Sequence, residues 1–324
     1  MGKKQGFEKH SKPPQAHRGA AEMVGGAGGG LRDLERAHAS VSRRIISSGS
    51  VPEAILPQDG SIPTINIINK SALLKKEDFD EMVDACSQQF ENHVAPTWMK
   101  GTWCLVSGQP ESVGYPIIIV DDPDQAGMLG YHTETPDGKI WGRVFVKAIT
   151  ARGGKMTQGP LSVSVVLSHE IIEAYVNPNV NVWASRSDGL LVAYEAADPV
   201  ENDSYEITTK TGKKVSVSNF VFPEWFDARP PNGARFDFMG KVSKPFSVSK
   251  GGYMVTLNTK TGRTKNIFGS LSSKEQHNVR QDPHPASRST RLGGIVEHDE
   301  DEIQEEDAPM TSQTPSENPE KDPV

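Results

Sequence analysis

The strongest chemical signal in the chain is the run Ser168-His169-Glu170-Ile171-Ile172-Glu173. In a helix of about 3.6 residues per turn, His169 and Glu173 lie one turn apart on one face, and Glu170 projects beside them. An imidazole and a carboxylate placed this way can ligate one metal ion, and the neighbouring carboxylate can act as general base toward an attacking water. The His-Glu-x-x-His form of this pattern offers two imidazoles to zinc. Here the second ligand is a carboxylate, whose negative charge lowers the Lewis acidity of the ion. A third ligand has to come from another segment. Tyr194-Glu195-Ala196-Ala197-Asp198-Pro199-Val200-Glu201 offers three carboxylates in an apolar context, where charges are seldom placed unless paired or metal-bound. Either Glu195 or Asp198 can serve as ligand, with the other orienting His169 through its second ring nitrogen. Zn2+ is the expected ion.

Other chemistries find less support. Cys86 and Cys104 cannot by themselves build a disulfide framework or a thiolate zinc site, and Cys86 falls on an apolar helix face, which reads as structural. A Gly-x-Ser-x-Gly nucleophile elbow is absent. The glycine run Gly25-Gly26-Ala27-Gly28-Gly29-Gly30 lacks the preceding strand that a phosphate-cradling loop requires. Tyr175, Tyr205 and Tyr253 are each able to donate to an oxyanion, and the sequence does not choose among them. Trp183, Trp225, Phe226, Phe236 and Phe238 read as core.

The elements that must position the site lie between residues 61 and 270. Thr64–Asn69 reads as a strand, and Phe79, Met82, Val83, Cys86, Phe90 and Val94 recur at helical spacing up to Pro96, which should end that helix. Strands are expected at 103–106, 115–120 and 143–148, with the turn-rich stretch 121–142 between the last two. A long helix is expected over 161–178, and weaker strand signals follow at 190–194, 214–218 and 253–257. The segment 150–159, with adjacent Gly153 and Gly154, is expected to be the most mobile internal piece and to stand at the mouth of the cleft.

Charge divides the 324 residues further. Residues 297–324 hold eleven acids against Lys321 alone, whereas residues 1–50 hold nine Lys and Arg against four acids. With 35% hydrophobic residues overall, these ends cannot bury enough apolar surface to offset their ordering entropy. The expected organisation is a disordered basic, Gly-rich arm (1–60), a folded domain (61–270), a basic linker (271–296) and a disordered acidic tail (297–324). The tails can meet oppositely charged partners, although solvated charge is the commoner use and nucleic acid is not the expected partner. No run is apolar enough for a membrane helix, and no secretory signal is recognisable, so a soluble cytoplasmic or virion-associated protein is expected.

A strand followed by a helix bearing His169-Glu170-x-x-Glu173 resembles the core of the zincin metallopeptidases, and a downstream glutamate followed by an aspartate is similar to their gluzincin branch. The runs around His169 and Ala197-Asp198-Pro199-Val200-Glu201, with Val217-Ser218-Asn219-Phe220-Val221-Phe222-Pro223-Glu224-Trp225-Phe226 and Gly251-Gly252-Tyr253-Met254, also resemble a group of uncharacterised bacterial and viral proteins. The zincin likeness implies an α+β fold with a small mixed sheet whose edge strand lies over the metal-site helix and holds an extended substrate, a part assigned to 143–148. It further implies zinc on His169, Glu173 and Glu195, with Asp198 behind His169 or in place of Glu195. The implied activity is a zinc-dependent peptidase that hydrolyses peptides or proteins with Glu170 as catalytic base. The alternative is a non-catalytic zincin-like structural or interaction protein, such as one associated with a virion.

Overall fold

Short β-branched runs bounded by Gly, Pro and Asp do become strands, and among the described residues they assemble into an α+β fold with three sheets. The computed structural model describes residues 62–124, 127–134 and 139–270, together with the backbone of two short strands, β1 (Arg44–Ile46) and β13 (Glu302–Ile303). Apart from those two strands, the expected arm, linker and acidic tail lie outside the described residues. None of the described helices is long and apolar enough to cross a membrane.

The first sheet has five strands: β2 (Thr64–Asn69), β3 (Cys104–Ser107), β4 (Tyr115–Val120), β5 (Gly130–Glu134) and β6 (Ile140–Phe145). Their order is β3-β2-β4-β6-β5; the first four run parallel, and β5 joins the edge antiparallel to β6. Ile65, Ile67 and Ile119 are wholly or almost wholly buried, as expected of a parallel sheet covered on both faces. Asn66, buried among them, donates to the carbonyls of Gln109 and Pro110, which satisfies its amide and fixes the loop after β3.

Two details differ from the sequence expectation. The strand expected at 143–148 ends at Phe145, and Val146–Ala151 forms helix α3 instead. The edge strand is β5, inside the stretch read as turns. Its sequence Gly-Tyr-His-Thr-Glu lacks an apolar run, which an edge strand paired on one side does not need. Likewise Pro96 does not end its helix. Helix α1 (Lys76–Gln89) widens through a π turn at Phe90–Val94, and Pro96 then lies in the first turn of the short helix α2 (Ala95–Trp98), where a missing N–H costs little. Cys86 faces the core from α1, and its burial pushes the thiol pKa up to about 12, which leaves it inert as a nucleophile.

The second sheet is built on β7 (Val182–Ser185), β8 (Leu190–Ala193), β11 (Tyr253–Asn258) and β12 (Thr264–Phe268), antiparallel in that spatial order. The two backbone strands β1 and β13 flank it in parallel. A hairpin of β9 (Ser204–Thr208) and β10 (Lys214–Ser218) forms the third sheet.

Helix α4 (Val163–Val176) runs through the centre. Every residue except Val166 is buried, because the helix meets β2, β4, β5, β6, β10 and α1. Ser162 caps it by accepting from the Val165 amide at 3.3 Å. Ser164 and Ser168, one turn apart, fasten it to β10: Ser164 donates to the Ser216 carbonyl at 2.6 Å, and Ser168 accepts from the Ser218 amide at 2.7 Å. Val163, Leu167, Ile172 and Val176 are wholly buried, and each contributes about 1.5–3 kcal/mol. That apolar hold offsets the cost of carrying a histidine and two glutamates inside the protein. The preceding segment 150–159 is also tied down. Backbone bonds join Lys155 to Leu161 and Val163, and the Ser216 amide donates to the Thr157 carbonyl at 2.8 Å. This bonding explains why a glycine-rich stretch read as mobile is anchored to the hairpin.

Candidate functional site

One turn of α4, the edge strand β5 and the segment after β8 converge on a buried cluster of two imidazoles and four carboxylates. His169 and Glu173 share a helix face, as the spacing requires, with Nε2 of His169 3.3 Å from Oε2 of Glu173. Asp198 opens a 3-10 turn (Asp198–Val200) and places Oδ1 3.3 Å from the same His169 nitrogen. Glu195 follows β8 and lies on the other side of the cluster, 3.9 Å from Nε2 of His132. The other nitrogen of His132, Nδ1, lies 3.3 Å from Oε2 of Glu170 and 3.5 Å from Oε2 of Glu173. Side-chain exposure is 11% for His169 and 0–4% for the other five, so the cluster meets solvent chiefly at His169.

Backbone and amide groups fix the acids. The Ala197 amide donates to Oε1 of Glu173 at 3.4 Å, leaving Oε2 directed at the imidazoles. Asn177, at the C-terminal cap of α4, donates from its side-chain nitrogen to Oε1 of Glu195 at 3.4 Å, and its side-chain oxygen Oδ1 accepts from the amides of Asn181 and Val182. The helix end is thereby tied to Glu195. The turn carrying Asp198 rests on Gly252, where a Cβ would stand 2.2 Å from the Pro199 carbonyl. Gly130 does the same service where β5 crosses α4: a Cβ there would stand 2.6 Å from Val166 and 3.0 Å from Oε1 of Glu170. Only a residue without a side chain lets strand and helix approach this closely.

Two groups have the composition and spacing of ligand sets. One atom each from His169, Glu173 and Asp198 lie within 4.8 Å of one another, and so do one atom each from His132, Glu173 and Glu195. Zinc bonds of about 2.0–2.2 Å in tetrahedral geometry set ligand atoms about 3.3–3.6 Å apart. The two 3.3 Å separations around His169 Nε2 fall in that range, and they exceed the roughly 2.7–2.9 Å of a charge-assisted hydrogen bond. Charge points the same way. Four buried carboxylates outnumber the two imidazoles, and carboxylates are seldom gathered in an interior unless they are paired, protonated or metal-bound.

In the metal-free protein, burial disfavours a charged His169, but the Glu173 carboxylate, followed by Asp198, outweighs it and holds this imidazole well above the usual histidine range. A histidine whose folded pKa is raised contributes stability in full below its unfolded pKa of about 6.5 and loses that contribution as pH rises through the folded value. The stability advantage of metal-free parent over His169→Gln should therefore be greatest at about pH 6 and shrink toward alkaline pH. Denaturant titrations across that range read it, and an advantage that grows with pH would contradict the pairing.

No protein-family model matches the chain, and no curated protein or solved structure matches it either. Of the site residues expected from sequence, His169, Glu170, Glu173, Glu195 and Asp198 all enter the cluster, but Glu195 groups with His132 and Asp198 with His169. Sequence reasoning did not find His132, because a lone histidine in a polar five-residue strand carries no spacing signal. Glu201 is half-buried and belongs to neither ligand group among the described residues. Of the tyrosines considered as oxyanion donors, Tyr175 accepts from the Lys100 amide, and Tyr205 is bonded to Gln89 and His93.

Proposed function

We propose that this chain is a zinc-dependent peptidase on a zincin-like α+β scaffold, with His169, Glu173 and Asp198 as the ligands of the ion. The observation that carries this reading is the pair of 3.3 Å separations about His169 Nε2, inside a buried cluster in which carboxylates outnumber imidazoles. The position of β5 at the edge of its sheet, antiparallel to β6 and beside α4, supports it, since a sheet edge next to the site is where an extended peptide adds as a strand. Glu195 then lies outside this ligand set, held by Asn177 and facing His132.

Zinc, when bound, would supply Lewis acidity toward a peptide carbonyl and lower the pKa of a water at neutral pH. The chain's own part is assigned as follows. Glu170 receives the proton of the attacking water and returns it to the leaving amine, a role that general-base carboxylates fill with about 10²–10⁴-fold effect. His132 faces Glu170 from β5 and fixes the orientation of its carboxylate. The Ala197 amide keeps Glu173 turned toward His169.

A second reading has an observation in its favour. Structural metal sites are closed, whereas catalytic ones keep an open position, and five of the six side chains here are almost wholly buried. On that reading the ion holds the α4 helix to the Asp198 turn in a non-catalytic structural or interaction protein. The two separate on a broad peptide library assayed with zinc-loaded protein. Cleavage that stops with chelator and returns with Zn2+ supports the peptidase; a metal-loaded parent that cleaves nothing supports the structural protein.

A further inference from the structure

The geometry points to a second divalent-cation site, formed by His132, Glu173 and Glu195, that shares Glu173 with the His169 site and makes the centre dinuclear. This inference rests on the reading of His169, Glu173 and Asp198 as ligands of a first ion.

Three observations lead to it. First, an atom each of His132, Glu173 and Glu195 lie within 4.8 Å of one another, and the three side chains are 0–2% exposed. Second, the 3.9 Å between His132 Nε2 and Oε2 of Glu195 is too long for a hydrogen bond, yet it is below the roughly 4.2 Å that two metal–ligand bonds can span. His132 has the usual disposition of a ligating histidine, with one nitrogen toward the prospective ion and the other, Nδ1, 3.3 Å from a carboxylate that fixes the tautomer, here Glu170. Third, charge balance favours two ions. With ligating imidazoles neutral and all four carboxylates of Glu170, Glu173, Glu195 and Asp198 ionised, two divalent ions bring the cluster to neutrality. Glu173 is the natural bridge, since it is the residue common to both groups, with its Oε2 3.3 Å from His169 Nε2. Carboxylate-rich sites with one imidazole per ion suit Zn2+, Mn2+ or Fe2+, and ions bridged this way stand about 3.5–4 Å apart.

The test is equilibrium dialysis of the full chain against Zn2+ alone, with metal content read by mass spectrometry. The expected stoichiometry is two equivalents for the parent, one for His132→Ala and one for Glu195→Gln. Circular dichroism of each variant checks folding. Should either variant fail to fold, electron paramagnetic resonance of the Mn2+-loaded parent decides instead, with a spin-coupled pair expected. One equivalent in the parent, or an uncoupled Mn2+ spectrum, would overturn the second site and leave the first standing. No bound metal would remove both. Two equivalents retained in both folded variants would place the second ion elsewhere and overturn the assignment.

Discussion

Glu173→Gln is expected to eliminate metal binding while leaving the metal-free fold intact. The substitution keeps the shape of the side chain and, with the amide oxygen in the place of Oε1, the Ala197 contact, but it puts a nitrogen that cannot ligate where Oε2 faces the imidazoles. Glu173 contributes to both ligand groups, so its loss strips each to two protein ligands. In the parent, Zn2+ at about 100 times its Kd should raise stability by about 2.7 kcal/mol, because the ion binds the folded state and not the unfolded one. In the variant that zinc-dependent gain should vanish. Removing one of four crowded carboxylates also relieves repulsion, at the cost of one partner for His169, so metal-free melting should change far less than metal-loaded melting. A variant that gains as much stability from zinc as the parent would show that Glu173 is no ligand.

Glu170→Gln is expected to do the reverse, leaving metal content near the parent's and removing catalysis. Glu170 belongs to neither ligand group and faces His132 from the helix position beside His169. A glutamine retains the volume and much of the polarity but cannot accept a proton, so cleavage should fall by about 10²–10⁴-fold with zinc content unchanged. Metal and activity lost together would make Glu170 a ligand rather than a base. Activity unchanged would remove it from the reaction.

The helix that carries His169, Glu170 and Glu173 was legible because its logic is local. His169, Glu170 and Glu173 are set by helical spacing alone, and the burial of α4 is written in its high Val, Leu and Ile content. Asp198 and Glu195 were legible as a pair because three acids in an apolar stretch are costly without a partner. Their division between His169 and His132 was not, since it depends on where β8 ends and the Asp198 turn begins, and that is settled by tertiary packing on Gly252. His132 was hidden for a related reason. Its strand lies at the edge of its sheet among the described residues, so it needs no apolar alternation, and its partners in the cluster lie 38 to 63 residues away in sequence. The helix α3 was misread because Val146, Ile149 and Phe145 suit a strand as well as a helix; what distinguishes them is the continuation into the anchored segment that ends at Ser162.

The central claim is that the cluster around Glu173 exists to hold metal, and metal content tests it most directly. Full-length protein purified without chelators, at neutral pH, should carry at least one equivalent of a divalent transition metal, reduced to background by Glu173→Gln. Less than about a tenth of an equivalent in the parent, with no uptake on dialysis against Zn2+, would contradict the account and leave the six residues as a buried ion-pair network.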